Sequence, residues 1–68
     1  MSDHVYKVIE VVGSSHASIQ DAVRQAIARA SKTVHNLSWF EVKDIRGAIH
    51  EGEPHFQVEV RIGFRLDT

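Results

Sequence analysis

In 68 residues the chain has no cysteine, one proline, one tryptophan and one tyrosine. Without cysteine there is neither a disulfide nor a thiolate metal site. Charge of one sign is also lacking: 8 basic residues face 9 acidic ones, a net charge of -1 with histidine neutral. That balance argues against a broad nucleic-acid or anionic-membrane surface. No apolar run approaches the roughly 20 residues a membrane span needs. The opening Met1-Ser2-Asp3-His4 carries no signal-peptide pattern, so a cytoplasmic location is expected. There is no glycine-rich phosphate loop and no nucleophile motif, and none of the histidines His4, His16, His35, His50 and His55 forms the i, i+4 pair of a helical zinc site. No metal site and no enzymatic activity are expected.

What is present fits one domain, residues 1–68. A chain this short buries only about 60% of its unfolded surface when it folds alone. Small domains are usually completed by disulfides, a metal or oligomerisation. With the first closed and the second unsupported, self-association is the expectation.

Residues 4–12 read as a strand, with Val5, Tyr6, Val8, Ile9, Val11 and Val12 making both faces mostly apolar. Gly13-Ser14-Ser15 reads as a break. Ser18 followed by Asp21 resembles a capping box with Asp in place of Glu. Ile19, Ala22, Val23, Ala26, Ile27 and Ala30 then recur at helical spacing, which predicts a helix over 18–32. Residues 37–49 read as a second strand. Strict alternation there puts Phe40, Val42, Asp44, Arg46 and Ala48 on one face and Leu37, Trp39, Glu41, Lys43, Ile45 and Ile49 on the other. His50 to Pro54 supplies a turn. Over 55–66, Phe56, Val58, Val60, Ile62, Phe64 and Leu66 alternate with polar residues and glycine, an unbroken strand pattern.

The fold class is therefore α+β. It is a β-α-β-β subunit with a three-stranded antiparallel sheet packed on one helix, the third strand lying between the other two. One helix cannot cover such a sheet, and contiguous exposed apolar area marks an interaction surface. On the less apolar face of the second strand, Trp39 suits stacking against a planar ligand or a subunit contact. Gln57 offers both donor and acceptor groups to a heterocycle edge. Arg46 and Arg65 are candidate phosphate partners. Arg24, Arg29 and Lys32 lie along or near the polar face of the helix.

Several segments together resemble the dodecin family. They are Val5-Tyr6-Lys7-Val8-Ile9-Glu10-Val11-Val12-Gly13-Ser14-Ser15, Ala28-Arg29-Ala30-Ser31-Lys32-Thr33, Trp39-Phe40-Glu41-Val42, Ile45-Arg46-Gly47, Phe56-Gln57-Val58, and Val60-Arg61-Ile62-Gly63-Phe64-Arg65-Leu66. The resemblance spans essentially the whole chain. It implies a hollow homododecamer of β-α-β-β subunits that binds flavins such as FMN or riboflavin in pairs between symmetry-related subunits. It further implies that Trp39 stacks on the isoalloxazine, Gln57 hydrogen-bonds the ring edge, and Arg46 serves the flavin phosphate. Some bacterial members bind coenzyme A, for which Arg29 and Arg65 match basic positions. The implied function is flavin storage or sequestration with quenching of flavin photochemistry, without turnover. An alternative is a small oligomeric interaction or scaffold protein in which Trp39 is purely structural. A nucleic-acid-binding sheet with an exposed aromatic is opposed by the balanced charge and the single tryptophan.

Overall fold

The structure, a computed structural model, describes residues 3–66. Four elements follow one another: β1 (Val5–Ser15), α1 (Ile19–Ala30), β2 (Leu37–His50) and β3 (Glu53–Leu66). The sheet is antiparallel throughout, in the order β1-β3-β2. The strand with the most regular alternation is thus the central one, as its pattern predicts. Its even-numbered residues Val58, Val60 and Ile62 meet Ala22, Ala26 and Ala30 of α1 in the buried core, with Ile9, Val11, Val23, Ile27 and Leu37 packed around it.

β1 does not stop at Val12. It continues through Gly13, Ser14 and Ser15, paired with Val58, Gln57 and Phe56. Gly13 is a point of close approach and not a break: a Cβ there would collide with the backbone carbonyl of Ala22. Glycine here lets the helix settle onto the strand.

α1 is shorter than the predicted 18–32. Ser18 caps it, its side chain accepting from the Asp21 amide at 2.9 Å. The reciprocal half of the predicted capping box is absent in its usual form. Asp21 instead accepts from Ser15 Oγ at 2.7 Å, and Ser15 Oγ accepts from the Ala17 amide at 2.9 Å. Ser15 thus stands between the carboxylate and the free amides of the helix entrance. At the other end Ser31 caps the helix. The Lys32 and Thr33 amides turn back to Arg29 and Ala30 at 3.2 Å, a tightened 3₁₀-type exit. Asn36, at φ 64°, redirects the chain into β2.

The hairpin between β2 and β3 is tighter than the five-residue turn predicted. Only Glu51 and Gly52 connect the strands, at φ 52° and 79°, as a two-residue I′ turn requires. Pro54 therefore lies inside β3, opposite Ile49. It is tolerated because β1 ends at the Ser15–Phe56 pair, so that flank of Pro54 carries no ladder to break.

Two bulges decide which side chains of β2 share a face. The register with β3 shifts between Leu37 and Trp39 and again between Val42 and Asp44. Each extra residue inverts the alternation beyond it. The strict two-face reading of β2 is corrected accordingly. Leu37, Ile45 and Ile49 join Phe40 and Val42 on the helix side, opposite Phe64, Val58, Pro54, Ile62 and Val60. Asp44, Arg46 and Ala48 join Trp39 and Glu41 on the open side, opposite Glu59, Gln57 and His55.

The helix lies over β1 and β3. Its 12 residues span about 18 Å at 1.5 Å per residue. The 14-residue hairpin strands run to about 46 Å at 3.3 Å per residue. Phe40, Val42, Ile45 and Ile49 consequently stand on the helix side without cover.

Candidate functional site

The open face of the sheet has no helix on it, and the candidate side chains gather there. At one end, Trp39 stands directly opposite Gly63. A Cβ on Gly63 would fall on Cε2, Cζ2 and Nε1 of the indole, so the ring lies over the glycine backbone. Gly63 is buried beneath it, while Trp39 keeps 44% of its own surface exposed. Arg65, two residues further along β3 and opposite Tyr6, occupies the same end. On the opposite, helix side of this end, Ile27, Leu37, Ser38, Trp39, Phe40 and Ile62 line an apolar pocket.

The middle of the face is a charged lattice crossing all three strands. Lys43, on the second bulge, meets Glu10 of β1 at 3.1 Å and Glu59 of β3 at 3.6 Å. Arg61 meets Glu41 at 3.2 Å and Glu10 at 3.6 Å. The hydrogen bond from Lys43 holds the Glu10 carboxyl below its ordinary value, and the same contact raises Lys43. These pairs are water-accessible, so they orient side chains more than they stabilise the fold.

At the other end Arg46 and Gln57 are cross-strand partners. The Arg46 guanidinium donates to Gln57 Oε1 at 3.3 Å, to Asp44 at 3.1 Å and to Glu59 at 3.4 Å. The carboxylates fix the arginine, and the arginine occupies the glutamine carbonyl. Beyond them His16, His55 and His50 form a row, with ring centroids 6.1 and 5.5 Å apart. Among the described residues, no three His, Asp or Glu side chains are placed to share a metal ion.

The predicted site residues thus fall into three groups. Arg46 and Gln57 are brought together. Trp39 shares their face but not their neighbourhood, because Gly63 and Gln57 are six residues apart on β3, about 20 Å at 3.3 Å per residue. Arg29 lies elsewhere, on α1. With Lys32, Gln25, Val12 and Ser14 it lines a groove of about 530 Å3 between the helix and β1. It does not converge with Arg65 of the same chain, which stands on the far side of the sheet. Glu59, Lys43 and Gly63 were not singled out from the sequence. Only their cross-strand partners reveal what they do.

Fold and surface together define a class: a one-helix, three-stranded open-sheet subunit with a tryptophan laid on its uncovered face. The chain belongs to the dodecin family, whose profile matches residues 5–67. It is 50% identical over 64 residues to the dodecin of Thermus thermophilus, covering 93% of each chain. It superposes on the dodecin from Streptomyces davaonensis with a TM-score of 0.94 at 47% identity, covering 98% of this chain and 100% of that one. A more distant relative, the calcium-chelating calcium dodecin of Mycobacterium tuberculosis, has a TM-score of 0.83 at 26% identity, covering 93% and 91% of the two chains. No helix among the described residues is long and apolar enough to cross a membrane.

Proposed function

We propose that this chain is a non-enzymatic flavin-binding subunit that stores or sequesters FMN or a related flavin within a cytoplasmic homododecamer. Trp39 stacks on the isoalloxazine, Gln57 meets the polar ring edge, and Arg46 serves the phosphate. The observation that carries this reading is the placement of Trp39. A large indole lies on an open sheet face with nearly half its surface free, in a chain of the dodecin family. Each aromatic stacking contact contributes about 0.5–1.5 kcal/mol beyond burial, and an electron-rich indole against oxidised flavin quenches its excited state.

The spacing of the site supports assembly. Trp39 and the Arg46–Gln57 pair are about 20 Å apart along one subunit, farther than a three-ring heterocycle reaches. One chain therefore cannot supply both to one flavin, whereas facing copies can. The uncovered apolar strip of β2 gives those copies a surface to bury. Coenzyme A is a second ligand on this reading, with its phosphates taken by Arg29 and Arg65 of different subunits. Neither nucleic acid nor a membrane is a partner.

Titration of FMN or riboflavin with micromolar purified protein tests the proposal. Flavin fluorescence is expected to fall with saturation, and Trp39→Ala to weaken binding more than Gln57→Ala or Arg46→Ala. Flavin that stays fully fluorescent with assembled protein refutes the reading and leaves Trp39 a subunit-sealing residue.

A further inference from the structure

Gly63 is the one residue of β3's open face without a side chain, and it is the residue under Trp39. On that face its neighbours along the strand are Gln57, Glu59, Arg61 and Arg65, all long and polar. Gly63 sits in the central strand, between Val8 of β1 and Trp39 of β2. A glycine in the interior of a central strand weakens the sheet and marks close approach by another group. The approaching group here is the indole: a Cβ on Gly63 would meet its Cε2, Cζ2 and Nε1 atoms. The space that a side chain at 63 would fill is therefore held by the indole. The φ of Gly63 is not in the left-handed region, since Gly52 is the positive-φ glycine of the described residues. Backbone conformation therefore does not demand glycine at 63, and the space under the indole does.

We infer that Gly63 is a positioning residue for the ligand site: having no side chain, it lets the Trp39 indole seat against the central strand, and that seating sets how the ring meets a planar ligand. This rests on the flavin-stacking reading above and names the residue that sets its geometry. Any side chain at 63 lifts or tilts the indole. The ring is then displaced from the position in which it meets the ligand, although Trp39 itself is unchanged. The bulge at Ser38 serves the same end, because the register shift there brings Trp39 rather than Ser38 opposite Gly63.

The test is a double-mutant cycle on the assembled protein, read by FMN fluorescence quenching and by the near-ultraviolet circular dichroism of the lone tryptophan. Gly63→Ala is expected to reduce FMN affinity at least tenfold and to change the tryptophan signal. In a Trp39→Ala background, Gly63→Ala is expected to add less than a twofold change. Equal losses in the two backgrounds overturn the inference, as does full affinity in Gly63→Ala alone. If Gly63→Ala fails to assemble, Trp39→Phe combined with Gly63→Ala decides, since the smaller phenyl ring leaves room for a methyl. Assembly with the affinity of Trp39→Phe alone supports the inference, and failure to assemble shows that glycine is needed for another reason. Failure of unmodified protein to bind FMN is a separate result, which removes the flavin reading itself.

Discussion

Replacing Ile45 by Glu tests whether the uncovered strip of β2 is the surface that drives self-association. Phe40, Val42, Ile45 and Ile49 line the helix side of β2 with 49%, 41%, 52% and 84% of their surfaces exposed, together about two whole apolar side chains. Full burial of one such side chain contributes about 1.5–3 kcal/mol, so covering the strip is worth about 3–7 kcal/mol per subunit. Association costs of comparable size are set against this gain, so losing part of it shifts the equilibrium. Ile45→Glu forfeits about 1 kcal/mol of apolar burial and adds an unpaired carboxylate at the contact, a further several kcal/mol per copy. Sedimentation or native mass spectrometry at micromolar concentration gives the readout. Twelve chains of 7.7 kDa amount to about 92 kDa. The variant is expected to run far below that mass, whereas Ile45→Val, which removes one methylene, keeps it. An Ile45→Glu protein with undiminished mass and unchanged resistance to urea would show that the strip stays in water and that the assembly argument from β2 is wrong.

Three further outcomes follow from the same structure. Gly13→Ala drives a methyl into the Ala22 carbonyl, an overpacking of backbone rather than of a flexible side chain. A loss at or above the usual 1–3 kcal/mol is expected in urea denaturation, with β1 and α1 separating. Ser18→Ala removes the acceptor for the Asp21 amide and is expected to cost about 1 kcal/mol by the same assay, while Ser18→Asp retains most of it. Glu10 lies below its ordinary value of 4.5 and Lys43 above its ordinary 10.5, each through the other. Their contribution is complete between those limits, lost in acid as pH falls through the folded Glu10 value, and lost in alkali as pH rises through the folded Lys43 value. Lys43→Met should therefore flatten both limbs of a plot of urea midpoint against pH, and a profile unchanged in both limbs contradicts the pairing.

The legible part of the fold was the part fixed by local periodicity. Six alternating apolar positions identified β3, and it proved central. The 3-1-3-1-3 spacing from Ile19 to Ala30 identified the helix, and Ser18 its start. Element ends were less legible because caps and turns compete over one or two residues. Ser31 ended the helix early, and Glu51-Gly52 closed the hairpin with Pro54 still in the strand. Trp39, Gln57 and Arg46, the residues the family resemblance pointed to, stand on one sheet face, although strict alternation parted Arg46 from Trp39.

By itself the sequence determined that a cysteine-free chain of this length forms a helix and three strands, and that these leave apolar surface over. Helical and strand spacing are properties of neighbouring residues, so no distant contact is needed to read them. Only the tertiary structure decided which side chains of β2 stand together. Its two bulges are set by pairing with β3, far along the chain, and no glycine or proline marks Ser38 or Lys43 as their sites. Each inserted residue turns the remainder of the strand over. That rotation puts Arg46 beside Gln57, turns Ile45 and Ile49 to the helix side, and lays Trp39 over Gly63, where a one-residue difference in register would have pointed the indole the other way.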